Sequence, residues 1–179
     1  MTLKNGILSL ATQVVSPHFN QRPIDNDISL LVIHNISLPP GKFAGNYVED
    51  FFTGQLDSSI HPFFEQIADL KVSAHLLIKR NGQIVQFVNL NERAWHAGES
   101  DFEGRENCND YSVGIELEGS DDIEFTEKQY EQLIKVSKQI MQAYPKIGPN
   151  RICGHSDISP QRKTDPGPCF DWQRYQQNL

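Results

Sequence analysis

The sequence carries no long apolar run, few cysteines and no block of basic residues, and each shortage removes a class of function. Nothing approaches the roughly 20 consecutive apolar residues that span a bilayer, so no membrane-crossing helix and no membrane partner are expected. The opening residues, MTLKNGILSLATQ, hold one lysine and a short apolar stretch, without the pattern of a secretory leader. Lys and Arg number 16 against 23 Asp and Glu, a net charge of −7, with no cationic run to neutralise phosphates. Nucleic acid is therefore not an expected partner. Three cysteines, Cys108, Cys153 and Cys169, cannot all pair and lack a CxxC spacing, so a reducing cytoplasm is the expected setting. Repeats and Gly/Ser-rich linkers are also missing, and residues 1–179 read as a single domain. A chain of that length buries roughly 70% of the surface its unfolded form exposes.

What is present alternates between strand and helix patterns. Residues 1–27 are polar and punctuated by proline, which places them on the surface. Ile28 to Ile33, ISLLVI, is a nearly continuous apolar run of the kind found in strands buried on both faces, ending at His34. Tyr47, Val48, Phe51 and Phe52 recur at helical spacing, and Phe63, Phe64, Ile67 and Leu70 suggest a second short helix. Ala74 to Val88 reads as a hairpin in which Asn81-Gly82 supplies a type I′ turn. In Tyr111 to Glu118, Val113, Ile115 and Leu117 alternate with Gly114, Glu116 and Glu118, so both glutamates share a face. Thr126 to Tyr144 is the clearest helix: Thr126 and Gln129 form a capping-box pattern, Tyr130, Leu133, Ile134, Ile140, Met141 and Tyr144 make one stripe, and Pro145 stops it. The last 35 residues read as mostly irregular. The order implies an α/β fold with a central sheet flanked by helices.

Several polar residues stand where chemistry could sit. His34 ends a buried strand, the place where α/β sheets present ligands. His155 and Asp165 lie in a loop stiffened by proline and glycine, ICGHSDISPQRKTDPGP, and two imidazoles with one carboxylate make a catalytic zinc shell that leaves a position for water. Cys153 and Cys169 compete as zinc ligands on chemistry alone. Glu116 has the chemistry of a base for the attacking water, and Glu118 shares its face. Gly119 follows Glu118, which places Glu118 at a frayed strand end in solvent. Lys163, two residues before Asp165, is positioned to set an ammonium beside the metal if the loop is extended.

Taken in order, LLVIHNISLPPG, SAHLLIKRNGQIVQFV, AWHAG, GRENCNDYSVGIELEG and GHSDISPQRKTDPGPCFDW resemble the zinc-dependent N-acetylmuramoyl-L-alanine amidases, over about residues 16–172. The likeness is greatest to the cytoplasmic branch that acts on 1,6-anhydro-N-acetylmuramyl-L-alanine in peptidoglycan recycling. It implies a peptidoglycan-recognition-type fold, a mixed sheet under a groove that holds one zinc, in a monomer whose partner is a small anhydro-muropeptide. Carried over motif by motif, the zinc ligands fall on His34, His155 and Asp165, the catalytic glutamate on Glu116 and the catalytic lysine on Lys163. Related amidases often have Cys as third ligand; Asp165 is similar to the anhydro branch. The resemblance also marks Trp95, His96 and Asn35 as groove residues, and Arg105 and Lys71 as holders of stem-peptide carboxylates. Family members often carry Arg at the positions of Asn107 and Lys71, so this chain departs from the bidentate pattern there. Two rivals accompany the reading: an amidase of broader muropeptide specificity, and a recognition module of the same fold that binds without cutting.

Overall fold

The computed structural model describes all 179 residues, and its organising element is a six-stranded mixed sheet. In chain order the strands are β1 (Thr12–Gln13), β2 (Leu30–Ile36), β3 (Leu76–Ile78), β4 (Ile84–Gln86), β5 (Ser112–Glu118) and β6 (Ile152–Gly154), and across the sheet they run β6-β2-β5-β3-β4-β1. β5 pairs in parallel with β2 and β3, β6 with β2, and β1 with β4; only β3 and β4 are antiparallel. The near-continuous apolar run at the start of β2 follows from this, because central parallel strands are covered on both faces.

Alternation sorts the two faces. One carries Leu31, Ile33, Leu76, Ile78, Val113, Ile115 and Leu117, which pack under α3 (Glu127–Ala143) through Tyr130, Leu133, Val136 and Ile140. The capping box of Thr126 and Gln129 is formed, and Tyr144 ends the helix. Gln129 is buried as well, its amide donating to the Ile78 and Glu118 carbonyls and tying the helix to the sheet. The other face carries Leu77 and Val85 beneath α1 (Tyr47–Phe52) and α2 (Pro62–Ile67), with Val48, Phe51, Phe52 and Phe64. Further along that face, Leu30 and Val32 pack with Tyr111, Cys153 and Ile158.

Four expectations need correction. β2 runs on to Ile36, so His34 sits inside the strand rather than at its end. The hairpin turn is not type I′: only Gly82 has positive φ, and Gly82 N–H donates to the Lys79 carbonyl while Lys79 N–H donates to Gln83, the pattern of a type I turn closed by a left-handed glycine. Glu118 is not frayed into solvent; it pairs with Ile36 in the ladder, is buried, and accepts the Arg80 N–H at 2.9 Å. The C-terminal segment holds two short helices, α4 (His155–Ile158) and α5 (Trp172–Gln177). The N-terminal stretch lies largely on the surface, except that Gly6, Leu8, Ser16 and Arg22 are buried.

Candidate active site

The parallel register of β2 and β5 sets Glu116 directly beside His34. Both fall on the face away from α3. β6 runs parallel on the other side of β2 and leads straight into α4, whose first residue is His155. The loop after α4 returns so that the Asp165 carbonyl accepts Ser156 N–H at 2.9 Å, which brings its carboxylate back to His155.

Three donor atoms then converge. His34 Nδ1 and His155 Nδ1 are 3.0 Å apart, and Asp165 Oδ2 lies 3.0 Å from the first and 3.1 Å from the second. A triangle that small suits one ion at about 2.0–2.2 Å from each corner. The proton inventory makes the fit more specific. His155 Nε2 is 3.0 Å from the Ala97 carbonyl, which can only accept, so that nitrogen carries the proton. Neutral His155 therefore points a bare Nδ1 lone pair at a carboxylate oxygen and at a second Nδ1. Such a convergence of lone pairs is unfavourable unless a cation, or a proton on His34 Nδ1, lies among them. Cys153 and Cys169 take no part in this donor cluster. Cys153 instead packs beside Val32 and Tyr111, where burial raises its thiol pKa.

The electrostatics follow from burial. Desolvation lowers His34 to about 4, with the Asp165 hydrogen bond opposing it, and His96 is held well below the usual imidazole range for the same first reason. Burial pushes Asp165 up, but the His155 and His34 imidazoles beside it outweigh that and leave the carboxyl below its ordinary value. Glu116 goes the other way: burial, reinforced by the Asp165 charge and opposed by Lys163, raises it well above 4.5. Its Oε2 is buried without any hydrogen-bond partner. A buried, uncompensated carboxyl beside a donor triangle marks a functional site, because a purely structural role would have paired it.

These groups open into a cleft of about 540 Å³. Its floor holds His34, Glu116, His155 and Asp165, Lys163 stands at its edge, and its wall is apolar, with Phe51, Phe63, Ile67 and Trp95. Trp95 is half-buried, its indole N–H donating to Asn20 at 2.7 Å and its ring lying parallel to His18. Asn35 lines the cleft with its amide donating to Asp121 and to the Pro166 carbonyl, which steadies the loop carrying Asp165. His96 borders the cleft and contacts His34. Lys71 is exposed outside the lining, although Leu70 and Val72 belong to it. Arg105 is not brought to the cleft at all: its guanidinium pairs with Asp27 at 2.6 Å and lies 3.8 Å over the Tyr111 ring. Asn109, which no motif singled out, is buried and accepts the backbone N–H groups of both His96 and Ala97. A lone asparagine before a strand carries no periodic signal that would have found it.

Comparison with known proteins shows the family to which this fold belongs. Residues 24–168 match the N-acetylmuramoyl-L-alanine amidase family. The 1,6-anhydro-N-acetylmuramyl-L-alanine amidase AmpD of Haemophilus influenzae is 58% identical over 173 residues, 97% of this chain and 94% of that protein. The crystal structure of a selenomethionine derivative of AmpD superposes with a TM-score of 0.97 at 52% identity, covering 100% of this chain and 99% of the other. AmiD from Escherichia coli, in complex with the substrate anhydro-N-acetylmuramic acid-L-Ala-D-γ-Glu-L-Lys, is similar at a TM-score of 0.61 and 34% identity, over 99% of this chain and 65% of AmiD.

Proposed function

The chain belongs to the N-acetylmuramoyl-L-alanine amidase family, and from that premise we propose that it hydrolyses the amide between the lactyl group of 1,6-anhydro-N-acetylmuramic acid and L-alanine of the stem peptide. The observation that carries the reading is the unpartnered Glu116 Oε2 in the same cleft as three converging metal donors. His34, His155 and Asp165 would hold one zinc. Zinc supplies Lewis acidity when bound, acidifying water toward a pKa of roughly 7 and polarising the scissile carbonyl.

The remaining work falls to side chains of the cleft. Glu116 takes the proton of the attacking water, a role suited to a carboxyl that burial makes more basic than an ordinary glutamate. The same carboxyl then delivers the proton to the departing alanine nitrogen, so the amine leaves neutral. Lys163 makes no ion pair, so its ammonium is free to stabilise the oxyanion of the tetrahedral intermediate. The apolar wall with Phe63 and Trp95 gives the bridged sugar a surface to pack on, and Asn35 holds the floor in shape. One chain supplies every group, which supports a monomer. Three free thiols, two of them buried, fit a reducing cytoplasm where wall fragments are recycled.

Substrate choice tests this reading. The 1,6-anhydro bond inverts the sugar chair and removes the reducing hydroxyl, so a wall shaped to it loses contacts with the ordinary sugar. In a competition between the two sugars bearing one tripeptide, resolved by chromatography, anhydro-muramyl peptide is expected to be cut at least about tenfold faster, roughly 1.4 kcal/mol. Equal rates would assign the chain to amidases of broader specificity.

A further inference from the structure

The two imidazoles of the donor triangle turn Nδ1 inward and Nε2 outward, and both outward nitrogens meet the same two-residue stretch. His155 Nε2 meets the Ala97 carbonyl at 3.0 Å, and His34 Nε2 meets His96 Nδ1 at 2.9 Å. Between His34 and His96 one proton must be placed. A nitrogen that gives its lone pair to a cation holds no proton, so a bare His34 Nδ1 requires a proton on Nε2. His96 Nδ1 then accepts it, and His96 keeps its own proton on Nε2, where Ser112 Oγ lies 3.0 Å away. We propose that His96 is a positioning residue for the metal site: its Nδ1 lone pair holds His34 as the Nε2–H tautomer, with Nδ1 presented to the ion. This rests on the metal reading above and gives His96 a duty beside its place in the cleft lining.

The surroundings of His96 are built for that duty. Asn109 Oδ1 accepts His96 N–H at 3.0 Å and Ala97 N–H at 2.8 Å, so one buried side chain fixes both outer partners of the two imidazoles. Arg22, itself buried, donates to the Asn109 and Ser112 carbonyls and braces the clamp from beneath. The ring rests directly on β5: a Cβ at Gly114 would come within 2.5 Å of His96 Cγ. Ser112, Gly114 and Glu116 alternate along one face of that strand. His96 covers the first two and leaves the third open to the cleft. Groups that orient a metal's ligands in this way are commonly worth 10–100-fold in metal affinity.

The experiment is zinc affinity of the purified full-length chain, by competition with a chromogenic chelator, joined to long-range proton–nitrogen NMR of the imidazoles in the zinc-loaded form. His96→Ala is expected to weaken zinc by about 10–100-fold. His96→Asn, whose side-chain oxygen can stand where Nδ1 stood, should recover most of that loss. Gly114→Ala should weaken zinc by displacing an unaltered ring, and it keeps the test alive if His96→Ala folds poorly. The wild-type spectrum should show His34 protonated at Nε2. Unchanged affinity in both His96→Ala and Gly114→Ala overturns the inference while leaving the metal site standing, whereas His34 protonated at Nδ1 in the zinc-loaded form overturns both the inference and the assignment of that nitrogen as a metal donor. A wild-type chain that binds no zinc overturns the metal reading itself, and the inference with it.

Discussion

Two hollows of nearly equal volume draw on neighbouring parts of the chain, residues 95–96 and 163 in one and 99–101 and 162 in the other, yet they differ in how their polar groups are satisfied. One, of about 540 Å³, holds His34, Glu116, His155 and Asp165; the other, of about 560 Å³, is lined by Glu99, Asp101, Glu106, Asn107, Ser159 and Arg162. In the second, Arg162 already donates to the Ala97 and Glu99 carbonyls and to Ser159 Oγ, at 2.6, 2.8 and 2.8 Å. Its carboxylates stand in solvent, where water satisfies them. In the first, lone pairs face one another and a buried carboxyl oxygen has no partner. Size does not separate the two. The uncompensated groups do, because their cost is tolerated only where a ligand or reaction removes it.

Substitutions in the two hollows sharpen the contrast. The largest effect belongs to the first hollow: Glu116→Ala and Lys163→Ala should each retain zinc yet lower turnover by on the order of 10²-fold or more, measured by metal content and cleavage rate together. Glu118→Ala, whose carboxylate serves the Arg80 N–H instead of the cleft, should keep turnover. If it damages cleavage as much as Glu116→Ala, the base has been misassigned.

A smaller effect appears in the stability of the metal-free protein. Burial raises Glu116 well above 4.5, so the folded chain keeps a proton that the unfolded chain releases. Stability from this group is therefore full below pH about 4.5 and is lost as pH climbs toward the raised folded value. Glu116→Gln removes that dependence. It should be close to neutral in effect near pH 4 and stabilising at neutral pH by on the order of 1–3 kcal/mol, read from urea unfolding of chelator-treated protein. A gain that is larger at low pH would reverse the sign and contradict the burial argument. The smallest effect belongs to the second hollow: Glu106→Ala should leave stability within about 0.5 kcal/mol and cleavage unchanged.

Much of this was legible from sequence, for local reasons. The apolar run of β2, the alternation of β5, the Thr126 capping box and the stripe of α3 depend on near neighbours in the chain, and they stand where periodicity places them. The donor residues His34, His155 and Asp165 were legible as a set because their flanking motifs occur together. What escaped depends on distant partners. Glu118 looked like a frayed end because nothing nearby announces that the Arg80 N–H will reach it across 38 residues. Gly82 alone takes the left-handed backbone, a distinction that the pair Asn-Gly does not make by itself. Arg105 read as a free carboxylate holder, whereas its ion pair with Asp27 spans 78 residues. Asn109 and Arg22 act through backbone groups, which no residue pattern encodes.

The central claim is that a single ion held by His34, His155 and Asp165 is what makes this cleft an amidase. The direct measurement strips the protein with chelator, then follows release of the stem peptide from anhydro-muramyl tripeptide by mass spectrometry as zinc is added back. The account predicts negligible cleavage in the metal-free chain and a linear rise that levels off near one zinc per chain. Full cleavage without metal, or a rise that continues well beyond one equivalent, would contradict it.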